Sequence, residues 1–167
     1  MHDATAISRR QLLRGRPRPE PFRPRPPAIS AESLAACTSC GLCVDACPQD
    51  ILEVAPDGVA LTPGAGECTF CGACADACPE PVFNASERMA HVAMITDDCL
   101  VQAGVTCMSC RDACPEVAIS MEPRIGGPFL PRLDPSTCSG CGACAAACPA
   151  DAIRAVPRTN EEEAEDA

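Results

Sequence analysis

Cys37-Thr38-Ser39-Cys40-Gly41-Leu42-Cys43-Val44-Asp45-Ala46-Cys47-Pro48 decides how this chain folds. Three thiols stand three positions apart, a fourth follows after three more residues, and proline closes the run. The same pattern returns as Cys68, Cys71, Cys74, Cys78-Pro79 and as Cys138, Cys141, Cys144, Cys148-Pro149. Between these lies an altered copy, Cys99, Cys107, Cys110, Cys114-Pro115, whose first cysteine is set back by a longer loop, Leu100 to Thr106. The four copies use all 16 cysteines of the 167-residue chain.

Composition says why the cysteines matter to folding. There is no Trp and no Tyr, only four Phe, and much of the apolar fraction is Ala and Cys. Such a core buries little area, and thin cores need disulfides or metal to hold them. No run of seven to fifteen apolar residues opens the chain as in a secretory signal, and nothing approaches the roughly 20 needed to span a membrane. The expected compartment is the cytoplasm, where thiols stay reduced and ligate metal. Zinc sites use separated cysteine pairs and have no need of a third Cys two residues on or of a closing x3-Cys-Pro. Iron–sulfur ligation fits the whole pattern.

A [4Fe–4S] cubane offers one corner per iron to one thiolate. Three thiolates spaced by two residues wrap three corners, and the fourth lies past a helical turn and points away. In two-cluster ferredoxins that fourth thiolate serves the other cluster. The expectation is four clusters. The first uses Cys37, Cys40, Cys43 and Cys78, and the second Cys68, Cys71, Cys74 and Cys47. The third uses Cys99, Cys107, Cys110 and Cys148, and the fourth Cys138, Cys141, Cys144 and Cys114. Matching cysteines lie 31 residues apart between the first two copies, 36 between the middle two and 34 between the last two. Spacing therefore leaves a nested pairing open, and local closure entropy favours the sequential one. Metal binding is folding free energy here, so the apo chain should be largely unfolded.

The fold class implied is α+β: two tandem bacterial dicluster-ferredoxin-like modules of short strands and helical turns, with little regular secondary structure. The first occupies 31–90 and the second 91–157. Strands are expected after each Cys-Pro, at 51–54, 82–83, 117–121 and 152–156, and Asp57-Gly58 signals a turn into Val59-Ala60-Leu61. Residues 1–30 form a basic arm with net charge +5, which leaves net −15 on the rest. Within it, 7–15 can make a turn or two of helix, and the Pro/Arg stretch 17–27 reads as an extended spacer. Residues 158–167 read as an acidic solvated tail.

An acidic, aromatic-poor body excludes nucleic-acid binding. There is no phosphate loop, no nucleophile–base pair and no open metal position, so no enzymatic activity is expected. His2 and His91 stand alone in the sequence, and His91 is expected at the surface. Gly41, Gly72 and Gly142 serve loop conformation beside a bulky group. Arg111, directly after Cys110, is either a cation that raises a cluster potential or a side chain in water.

Three features together narrow the pattern: the expanded third motif, the opening Ser8-Arg9-Arg10-x-Leu12-Leu13-x-Gly15-Arg16, and Phe129-Leu130-Pro131-x-Leu133 before Cys138-Ser139-Gly140-Cys141-Gly142-Ala143-Cys144. They resemble the NapF family, ferredoxin-type accessory proteins of periplasmic nitrate reductase systems, over roughly residues 7–156. The resemblance implies a cytoplasmic protein that binds the catalytic molybdenum subunit before export and helps mature it by redox or iron–sulfur chemistry. Other redox proteins are the alternative partners, for a general electron carrier or an electron-transfer subunit. Ser8-Arg9-Arg10-Gln11-Leu12-Leu13 also resembles the start of a twin-arginine signal, but Arg and Pro stand where its apolar region would be. The segment is then either a short helix that docks on a partner or a mobile arm.

Overall fold

The computed structural model describes residues 22–62, 64–84 and 88–158. The expected basic helix, residues 17–21 of the extended stretch, and 159–167 of the acidic tail lie outside them. Among the described residues there are five four-residue helical turns: α1 Ala31–Leu34, α2 Leu42–Asp45, α3 Ala73–Asp76, α4 Ser109–Asp112 and α5 Ala143–Ala146. Six strands are arranged as three antiparallel ribbons. β1 Leu52–Ala55 pairs with β2 Gly58–Leu61, β3 His91–Ile95 with β6 Ile153–Pro157, and β4 Ile119–Glu122 with β5 Leu130–Leu133. The mixture of helical turns and small sheets is the expected α+β class.

The Cys-Pro segments explain where strands begin. Asp50, Val117 and Asp151 each stand three residues after the last cysteine of a motif, at φ of 52°, 53° and 48°. Each amide there donates back to the cysteine carbonyl, at 3.2, 3.2 and 3.3 Å. This left-handed turn throws the chain outward, and β1, β4 and β6 start within three residues. In the second copy that position is Pro81, whose ring fixes φ near −65° and which has no amide hydrogen. The strand expected at Val82-Phe83 is accordingly absent, replaced by turn and bend. Val82 still packs fully into the core, 1% exposed.

The spacer expectation also fails where the chain is described. Pro24 and Pro26 are buried and Ile29 joins the first apolar cluster. The Leu61 amide donates to the Pro24 carbonyl at 2.9 Å, so the segment lies along β2. Arg25 pairs with Asp57 and donates to the Val59 carbonyl, pinning the strap to the hairpin turn. Ser30 then starts α1 with a reciprocal cap, each of Ser30 and Ser33 bonding the other's amide at 3.0 Å.

α2 packs on α3, and α4 packs on α5. One core gathers Ile51, Leu52, Val59, Leu61, Val82 and Met89 around the cysteines of the first two motifs. Two smaller clusters, centred on Val92 with Ala118 and on Ile119 with Ile153, hold cysteines of the last two.

Candidate iron–sulfur sites

Each site is built from a loop, a glycine and one helical turn. Gly41, Gly72 and Gly142 cap α2, α3 and α5 at φ of 84°, 79° and 90°. Only glycine takes this conformation freely, and it turns the chain so that the flanking cysteines can face one centre. Loop conformation is thus the role these glycines have. The third copy has Met108 there at φ −133°, and its turn is entered without the left-handed step. Its longer loop forms a turn of its own. Val101 is 1% exposed within it, and Arg124 donates to the Val101 carbonyl at 3.2 Å.

The cysteines are brought together in interleaved groups. Cys37, Cys40, Cys43 and Cys78 line one cavity with Val54, Val59 and Val82. Cys68, Cys71, Cys74 and Cys47 line another with Ile51, Leu52 and Leu61. Cys138, Cys141, Cys114 and, least strongly, Cys110 act on the Cys144 thiol as close neighbours. Cys99 and Cys107 act on Cys110, and Cys148 packs in the same apolar cluster as Cys110. All sixteen thiols are free of disulfide partners. Among the described residues no three His, Cys, Asp or Glu close on a point as a single ion would require. Thiols spread around a cavity suit a cluster with separate corners.

Burial shapes the thiols' chemistry. It pushes Cys74 up to about 11 and Cys144 up to about 12, and neighbouring thiols push the same way. Cys43, Cys68 and Cys110 are raised for the same first reason. Unmetallated, these groups stay protonated at neutral pH. A bound cluster supplies the positive charge that displaces the protons, so loading releases them. The donor set, sixteen free thiols that range from buried (Cys43, Cys138, Cys144) to exposed (Cys40, Cys71), fits such a group. In the last two copies the amides of Ala118 and Ala152 donate to Cys114 and Cys148 Sγ, both at 3.3 Å, the kind of bond that tunes a cluster's potential.

The chain's relatives agree. Residues 31–79 and 105–164 each match a 4Fe-4S dicluster domain; the second match begins after Cys99. The ferredoxin-type protein NapF of Escherichia coli K12 is 41% identical over 89% of this chain and 93% of its own length. The chain belongs to the NapF family of ferredoxin-type proteins. It is a 4Fe-4S iron–sulfur protein. NapF of Haemophilus influenzae is 37% identical over 77% of this chain and 76% of its own length. The methylamine utilization ferredoxin-type protein MauM of Methylobacillus flagellatus is 37% identical over 88% of this chain and 74% of its own length.

Three residues near the NapF-type motifs show what the sequence misjudged (His91), left between two alternatives (Arg111) and did not single out (Ser139). His91 is 4% exposed, not at the surface, with Nε2 3.1 Å from the Gly140 carbonyl and its ring edge-on to Phe22. Arg111 turns to Asp112, at 2.9 and 2.7 Å, and is exposed, so the solvated alternative holds. Ser139, inside the last motif, buries a hydroxyl with no protein partner.

Proposed function

We propose that this chain holds four [4Fe–4S] clusters and serves, without enzymatic activity of its own, as a cytoplasmic accessory factor for the catalytic molybdenum subunit of periplasmic nitrate reductase. The ligand sets are Cys37, Cys40, Cys43 with Cys78; Cys68, Cys71, Cys74 with Cys47; Cys99, Cys107, Cys110 with Cys148; and Cys138, Cys141, Cys144 with Cys114. The carrying observation is that the fourth cysteine of one motif lines the cavity of its neighbour's three, as Cys78 and Cys47 do. That exchange supports sequential modules, 31–90 and 91–157. Similarity to NapF across nearly its whole length supports the nitrate reductase assignment. No described helix is long and apolar enough to cross a membrane.

Anaerobically purified protein should contain about sixteen iron and sixteen sulfide per chain. It should then retain the catalytic subunit lacking its cofactor, in stoichiometric amount, and release the mature one. Zinc in place of iron sinks the ligand reading, and failure to retain the subunit sinks the accessory one. The similarity to MauM favours a second reading, a general electron carrier or electron-transfer subunit. Rapid reversible reduction by a dehydrogenase without subunit binding would select it.

A further inference from the structure

Arg158 follows β6, at the head of what the sequence presents as a solvated tail, yet its side chain grips the loop carrying the last three-cysteine run. Nη2 donates to the Cys138 carbonyl at 2.7 Å, Nη1 to the Pro135 carbonyl at 2.7 Å and Nε to the Met89 carbonyl at 3.4 Å. Its backbone amide donates to the Ala90 carbonyl at 2.9 Å. All these acceptors are neutral, and no described carboxylate pairs with the guanidinium. Two other cations near ligand residues are compensated. Arg111 is bonded to Asp112, and Arg25, close to the hairpin turn beside Cys37, is bonded to Asp57.

The surroundings magnify that difference. Cys138 and Cys144 are each 7% exposed, so water screens little there. Burial alone disfavours placing another electron on this loop's cluster. A nearby positive charge that meets only neutral acceptors among the described residues acts in the opposite sense.

We propose that Arg158 sets the reduction potential of the cluster held by Cys138, Cys141, Cys144 and Cys114, holding it well above the value that burial alone would impose. It acts through the field of its charge and by fixing the ligand loop, and touches no reacting atom. The inference rests on the ligand sets proposed above.

The test is an anaerobic redox titration, followed by EPR, of the full chain with its clusters in place. Arg158→Gln should lower one midpoint by about tenfold in its reduction equilibrium, 59 mV for a one-electron couple, and leave the rest unmoved. Arg158→Lys, which keeps the charge, should stay near wild type. Ser136→Glu sets a carboxylate on the exposed side of the same loop and should move the same midpoint downward by less. Midpoints that stay put in both Arg158→Gln and Ser136→Glu overturn the proposal, as do midpoints that all shift together or a Lys variant that shifts as far as Gln. Should Arg158→Gln lose iron, the Lys and Glu variants decide. A wild-type iron count well below sixteen would sink the ligand sets; full loading with unmoved midpoints sinks the role of Arg158 alone.

Discussion

Gly140→Ala should be among the most damaging single-methyl changes in the chain. Gly140 stands at φ +85°, and a Cβ there would lie 2.7 Å from the His91 carbonyl oxygen, 3.1 Å from Met89 Cβ and 3.3 Å from His91 Nε2. The first neighbour is backbone in a paired strand, β3, and has no cheap way to yield. Gly126 provides the control: it sits at φ +75° with nothing within 4 Å. Left-handed geometry costs alanine about 1–2 kcal/mol, and the stiffer unfolded chain returns about 0.4–1. Gly126→Ala should therefore destabilise by between about 0 and 1.6 kcal/mol. At Gly140 the overlap adds a further ~2 kcal/mol, typical of overpacking. Loss of visible absorbance in guanidinium with a chelator reports opening of the loaded protein. Gly140→Ala should bleach about 30-fold faster than Gly126→Ala if the overlap is felt as ~2 kcal/mol of opening. Equal rates in the two variants would refute the steric argument and leave only backbone strain.

Burial lowers the His91 pKa from its ordinary 6.5, with the Arg158 charge acting the same way. The unfolded chain then takes up a proton near pH 6.5 that the folded one refuses. Stability should be intact above that pH and fall below it, by at most about 1.4 kcal/mol per pH unit; His91→Gln should flatten the guanidinium midpoint between about pH 7.5 and 5.5. Val117 is β-branched at φ 53° and 78% exposed. Val117→Asn should therefore raise the resistance to guanidinium by about 1 kcal/mol. Arg111→Ala should leave every midpoint of a redox titration where it was, because Asp112 already neutralises the side chain.

The cysteine spacing alone carried the site chemistry, because a cubane's corners impose a sequence period that few other groups share. The strands after Cys47, Cys114 and Cys148 were legible for a related reason: the chain leaves each motif through the same left-handed turn. Pro81 broke the rule in the second copy, and it can be read in the sequence once that turn is known. β3 and β5 were missed. β3 follows no Cys-Pro, and β5 contains Pro131, which ordinarily argues against a strand and is tolerated because a two-stranded ribbon is all edge. His91 and Arg158 were misjudged because their partners are backbone carbonyls at Gly140, Pro135 and Cys138, distant in sequence and silent in composition.

One bond joins the two halves of the chain at their motif cysteines. The Cys68 amide donates to the Cys141 carbonyl at 2.8 Å, and the Cys141 thiol in turn acts on that of Cys68. A Cβ on Gly142 would press the Gly66 carbonyl at 3.2 Å, so the two loops abut closely. On the proposed ligand sets the second and fourth clusters are then neighbours, and the wiring of the molecule differs from its numbering. Charge entering beside Cys40 would traverse the clusters in the order one, two, four, three and emerge beside Cys107. The expanded motif would thus be a terminus of the circuit, although it sits mid-chain.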